Sequence, residues 1–115
     1  MAGSNPPFMA GVPELMVLRL LKDREMYGYE IVAAIREDTA EVVRAGEGVI
    51  YPVLHSLEKD GALAARRKTV NGRSRVYYSL TAKGGRRLAG LTQDWQALAD
   101  AVTSVLKGRH HAPVS

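Results

Sequence analysis

A chain of 115 residues with 46% hydrophobic side chains is long enough for one compact domain and too apolar to remain unfolded. It contains no cysteine, which excludes a disulfide framework and a thiolate metal site and suits a reducing cytoplasm. Its net charge of +4 is unevenly spread: no acidic residue occurs from Gly61 to Gln93, where Arg66, Arg67, Lys68, Arg73, Arg75, Lys83, Arg86 and Arg87 all fall, so the remainder is net acidic. Such a block suits a polyanionic partner, most often a phosphate backbone. A merely soluble basic surface is the plainer alternative.

Residues 1–12 have no basic segment followed by an apolar stretch, so they read as a flexible arm rather than a leader, and no apolar run approaches a membrane span. Pro13-Glu14 opens the first helix, proline suiting the first helical position and the carboxylate suiting the positive end of the dipole. Leu15, Met16, Val17, Leu18, Leu20 and Leu21 make this helix apolar on nearly every side. In so short a chain, that implies cover from a second subunit.

Asp23-Arg24-Glu25 reads as a polar link, and a second helix begins near Tyr27-Gly28 with Ile31, Ala34 and Ile35 as its stripe. A third runs from Glu47 and ends at Gly61. Ile50, Leu54 and Leu57 form its apolar side, with Val53 beside them. Its other side, Val49, Pro52, His55, Ser56 and Lys59, carries little charge. Such a face suits a recognition helix lying in the major groove of DNA, and an ordinary amphipathic core helix is the rival. Pro52 lacks an N–H and is expected near the helix start, where donors have no partner anyway.

After Gly61 the period changes from helical to alternating. Val76, Tyr78 and Leu80 interleave with Arg75, Tyr77 and Ser79, and Asn71-Gly72 separates them from Ala62–Val70, the signature of a β-hairpin. Thr81 is placed to cap the last helix. That helix carries Leu88, Leu91, Trp95, Leu98, Val102 and Val105 at alternating steps of three and four, a short heptad seam that suits a dimer interface. The expected organisation is an arm at 1–12, a winged helix-turn-helix at 13–80, a dimerisation helix at 81–107 and a loose tail at 108–115.

Three ordered blocks resemble the PadR family of bacterial transcriptional regulators. They are Tyr27-Gly28-Tyr29-Glu30-Ile31, the stretch from Glu47 to Gly61, and Gly72-Arg73-Ser74-Arg75-Val76-Tyr77-Tyr78-Ser79-Leu80-Thr81-Ala82-Lys83-Gly84. Val49 and Ser56 depart from the family pattern, where Thr or Ser and Arg respectively are common. The resemblance implies a mainly α fold with a small β-hairpin: a winged helix-turn-helix plus one long C-terminal dimerisation helix. It implies a homodimer on a pseudo-palindromic duplex, usually as a repressor. It also implies a pocket at the dimer contact for a small aromatic effector, with Leu15, Leu18, Thr92, Trp95 and Ala99 as its candidates here.

Tyr51, Pro52, His55 and Ser56, with Val49 beside them, are the candidates for the major groove. Tyr27 and Lys59 are candidates for the flanking phosphates, and Arg73 and Arg75 for the wing. Tyr51 and Trp95 have core packing as their alternative, and Tyr78 reads as core. No carboxylate pair, nucleophile-base set, phosphate-cradling loop, cofactor motif or metal cluster accompanies His55 or His110-His111, so no catalysis is expected. A basic protein-interaction module and an RNA-binding winged helix stay open as alternatives.

Overall fold

The computed structural model describes residues 11–108. The elements run α1 (Val12–Asp23), β1 (Met26–Tyr27), α2 (Gly28–Asp38), α3 (Glu47–Lys59), β2 (Leu63–Val70), β3 (Arg73–Leu80) and α4 (Ala82–Leu106). The three strands form an antiparallel sheet in the order β1-β3-β2. The arm expected at 1–12 and the tail expected at 108–115, with His110-His111, lie almost wholly outside the described residues.

The hairpin turns where Asn71-Gly72 sits. Both residues have positive φ, 52° and 77°, and Val70 pairs with Arg73 across them. The helix at 47–59 stops by a Schellman arrangement at Gly61, whose φ is 82°. The Ala62 amide donates to the Leu57 carbonyl at 2.9 Å and the Gly61 amide to that of Glu58 at 3.0 Å.

One core joins the three N-terminal helices to the sheet. Val17, Leu18 and Leu21 of α1, Ile31 and Ile35 of α2, and Ile50, Leu54 and Leu57 of α3 meet Met26, Leu63 and Tyr78. These are the positions that the helical spacing marks as apolar, with Tyr78 in the core as its alternation indicates. β1 is a feature that spacing did not mark: Met26 pairs with Tyr78 and Tyr27 with Tyr77, adding a third strand to the hairpin.

Pro52 corrects the sequence reading. It lies inside α3, past the first turn, so the carbonyl of Gly48 has no i+4 amide to accept. Gly48 is exposed, and water can satisfy that oxygen.

The N-terminus of α4 is bolted to the end of α3. The Thr81 hydroxyl accepts from the Gly84 amide at 3.1 Å and donates to the Gly61 carbonyl at 2.7 Å. The Lys83 ammonium reaches the Asp60 carbonyl at 2.6 Å. Gly84 passes so close to the Ala62 carbonyl that a Cβ there would collide with it. Arg87 grips both oxygens of Glu14 at 3.0 and 3.1 Å and Asp60 at 3.3 Å, which joins α1, α3 and α4 and raises its pKa chiefly through the Glu14 bond.

Beyond Leu91 the last helix leaves the core. Leu88 is buried within its own chain and Leu91 is half-buried against the core. Trp95, Leu98, Val102 and Val105 are exposed, at 42%, 56%, 48% and 77%. Leu88 is therefore a correction to the expected dimer seam: it is 5% exposed and belongs to the core of its own chain, so the free apolar strip begins at Trp95.

Candidate nucleic-acid interface

α3 presents Gly48, Pro52, His55, Ser56 and Lys59 to solvent on the side opposite Ile50, Leu54 and Leu57. Tyr51 and Val49 stand at the two edges of this strip, both half-buried and packed on the core. Tyr51 leans across to α2, where its ring lies against Gly28. Only a glycine gives that ring room. The first turn of α2 is closed internally, since the Glu30 carboxylate accepts from the Tyr27 amide at 3.1 Å.

The wing stands beside this strip. Cross-strand pairs place Arg66, Lys68, Arg75 and Tyr77 on one face and Arg67, Val76 and Tyr78 on the other. On the first face a chain of contacts fixes the side chains. The Glu25 carboxylate accepts from Arg66 at 2.8 and 3.1 Å and from Lys68 at 2.7 Å. The Lys68 ammonium lies 4.5 Å from the centre of the Tyr77 ring, Tyr77 meets Tyr27 edge-on at 5.5 Å, and the Arg75 guanidinium lies 4.2 Å over Tyr27. The hydrogen bonds from Arg66 and then Lys68 hold the Glu25 carboxyl down at about 2, and the same contact raises the pKa of Arg66. Burial, then the charge of Glu58, pushes the Tyr78 hydroxyl up.

The basic block is thus partly neutralised from within. Arg66, Lys68 and Arg87 are held by carboxylates, while Arg73 stands exposed at the wing tip without a carboxylate partner among the described residues. The sequence-predicted residues Tyr27, Tyr51, His55 and Arg75 come together around one cleft between α3 and the wing, of about 370 Å³. Val49, Pro52, Ser56 and Lys59 lie along the outer helix face, and Arg73 lies beyond the cleft at the hairpin tip. Arg67 and Ser74 also line the cleft, and no sequence argument singled them out. The register around Asn71-Gly72 was enough to place both on that face.

The expected effector residues do not form one pocket in a single chain. Trp95, with Leu15, Leu91 and Leu98, lines a hollow of about 170 Å³ against the start of α1. Thr92 lines a separate one of about 390 Å³ on the other side of Leu15, with Met16, Leu20, Ile35 and Thr39. Leu18 is 0% exposed in the core and lines neither, because its side of α1 faces α3 and the sheet. Ala99 lines neither as well.

The family model for the "Transcriptional regulator PadR-like family" matches residues 17–90, from the middle of α1 to the first turns of α4. The chain belongs to the PadR-like family of transcriptional regulators. It is 34% identical over 104 residues to transcriptional regulator Rv3488 of Mycobacterium tuberculosis, covering 90% of this chain and 92% of that one. A PadR-like transcriptional regulator from Bacillus cereus superposes with a TM-score of 0.78 at 30% identity, covering 90% of this chain and all of that one (100%). A PadR family transcription regulator from Clostridium difficile does so with a TM-score of 0.73 at 26% identity, over 84% and 99% of the two chains. The winged helix and long last helix are therefore those of a PadR regulator, and the chain is a transcriptional regulator rather than an enzyme. No helix among the described residues is long and apolar enough to cross a membrane.

Proposed function

We propose that this PadR regulator is a homodimeric repressor of the bacterial cytoplasm that grips a pseudo-palindromic DNA duplex. In this reading α3 enters the major groove through Val49, Tyr51, Pro52, His55 and Ser56. Tyr27 and Lys59 flank it on the phosphates, and Arg73 and Arg75 extend the contact along the backbone. The observation that carries it is the pairing of a nearly uncharged, exposed helix face with an adjacent wing whose tip arginine has no carboxylate partner among the described residues. Groove edges favour shape and neutral hydrogen bonds, and phosphates favour guanidinium groups.

The dimer is supported by the strip Trp95, Leu98, Val102 and Val105, which is largely exposed among the described residues, and by half-buried Leu15, Met16 and Leu20 on α1. A second copy covers both at once, which would also suit the small core of one chain. A small planar aromatic effector at Trp95 completes the proposal. The hollow there is below the usual size of a ligand pocket, so its remaining walls would come from the second subunit.

Electrophoretic retardation with duplexes selected from a random pool tests the reading. Retention that survives competitor DNA and weakens steeply with salt is expected. Retention of RNA alone, or of nothing, would favour an RNA-binding or protein-interaction role. Titrating planar aromatic compounds while following Trp95 fluorescence tests the effector, and the absence of quenching across a broad panel would remove it.

A further inference from the structure

Arg67 differs from its two basic neighbours. Strand alternation turns it away from Arg66 and Lys68, onto the face it shares with Val76 and Tyr78. There its Nη1 donates to the Ser74 hydroxyl at 3.2 Å, and no carboxylate lies within ion-pair distance among the described residues. It lines the cleft between α3 and the wing together with Tyr27, Tyr51, His55, Ser74 and Arg75. The polar side chains around this cleft are two guanidiniums, an imidazole and hydroxyls, and none is acidic. A concave surface built that way repels cations and suits an anion with several acceptor oxygens.

We propose that the cleft seats one phosphodiester of the bound duplex, with Arg67 as its principal cation. The inference rests on the DNA-binding reading above and adds to it a contact that the hairpin-tip arginines do not make. A strand whose base edges meet α3 and whose backbone meets the wing must cross the gap between them, which is where the cleft opens. The guanidinium fork of Arg67 matches two phosphate oxygens, and its bond to Ser74 fixes the arm before DNA arrives. The Tyr51 hydroxyl and His55 ring add donors from the helix side. A phosphodiester carries no base identity, so this contact sets the angle between wing and groove and reads no sequence.

The test follows fluorescence anisotropy across a range of potassium chloride with two labelled duplexes, one of random sequence about three helical turns long and one selected for tight binding. Arg67→Ala is expected to weaken both by a similar factor, roughly tenfold at low salt. It should also flatten the slope of log affinity against log salt by about one. Arg67→Lys keeps the slope and part of the affinity, because the charge stays and the fork is lost. Ser74→Ala causes a smaller loss with the slope intact.

Arg73→Ala is the internal control. If it weakens binding while Arg67→Ala matches the unaltered protein, the cleft holds no phosphate and the proposal is overturned with the DNA reading intact. If neither changes binding, the wing does not touch the backbone and the proposal is overturned; if the unaltered protein binds neither duplex, the DNA reading itself fails. A loss confined to the selected duplex, with an unchanged slope, would make Arg67 a reader of bases and overturn the phosphate seat. Should Arg67→Ala lower the melting temperature, the slope of Arg67→Gln against that of Arg67→Lys carries the comparison.

Discussion

Replacing Gly28 with alanine tests how the recognition helix is held against its neighbour. A Cβ at that position would lie 2.5 Å from Cε1 of Tyr51 and 2.7 Å from both Cζ and the hydroxyl oxygen. Carbon atoms pack best near about 3.5–4 Å, so the ring has to move by about 1 Å. Tyr51 is half-buried and can pivot, which keeps the cost within the usual range for overpacking, about 1–3 kcal/mol. Alanine recovers less than about 1 kcal/mol through its better helix propensity, because Gly28 is the first residue of α2. The net loss is therefore about 1–2 kcal/mol, a fall in melting temperature of roughly 5–10 °C for a domain of this size. Urea unfolding of Gly28→Ala, Tyr51→Leu and the double variant, at one fixed protein concentration, measures it. Leucine removes the atoms that collide, so the double variant should be more stable than the sum of the single losses by about 1 kcal/mol or more. DNA affinity should fall in Gly28→Ala as well, since the ring that shifts is one wall of the cleft. An alanine variant as stable as the unaltered protein, or strict additivity, would refute this packing.

Leu98→Glu with Val102→Glu should leave the fold of each chain intact, since both residues are exposed, yet abolish the dimer as read by light scattering; an unaffected dimer would place the interface elsewhere. Glu25 ionises at about 2 in the fold against 4.5 ordinarily, so its pairs with Arg66 and Lys68 stabilise the folded state above about 4.5, and that support fades as pH falls toward 2. Melting temperatures of the unaltered protein and Glu25→Gln should accordingly converge in acid and separate near neutrality. Thr81→Ala should cost about 1 kcal/mol by removing the cap of α4, with Thr81→Ser retaining most of it, in thermal unfolding.

The sequence made some of these features plain and hid others for physical reasons. Asn71-Gly72 dictates a turn that few residues tolerate, so the hairpin and its register followed directly. Ile50, Leu54 and Leu57 can share a buried side only in a helix. β1 was invisible because two residues cannot display an alternating period, and only pairing with Tyr77 and Tyr78 makes them a strand. Pro52 looked like a first-turn residue because its cost is lowest there; exposed Gly48 makes its place deeper in the helix tolerable. Leu88 fits the heptad spacing as well as Val102 does. Spacing reports that a face is apolar and not which subunit covers it. Arg66 and Lys68 looked free because their partner, Glu25, is distant in the chain. At the interface, Tyr27, Tyr51, His55 and Arg75 meet around a cleft, while Arg67 shows its separate role only through the strand register.

Hydroxyl-radical footprinting of a selected duplex, with the mass of the complex measured in parallel, tests the central claim most directly. Two α3 helices carried by one dimer should protect two half-sites on one side of the duplex, centred about one helical turn apart, with two chains per duplex. A single protected site bound by one chain would contradict the account.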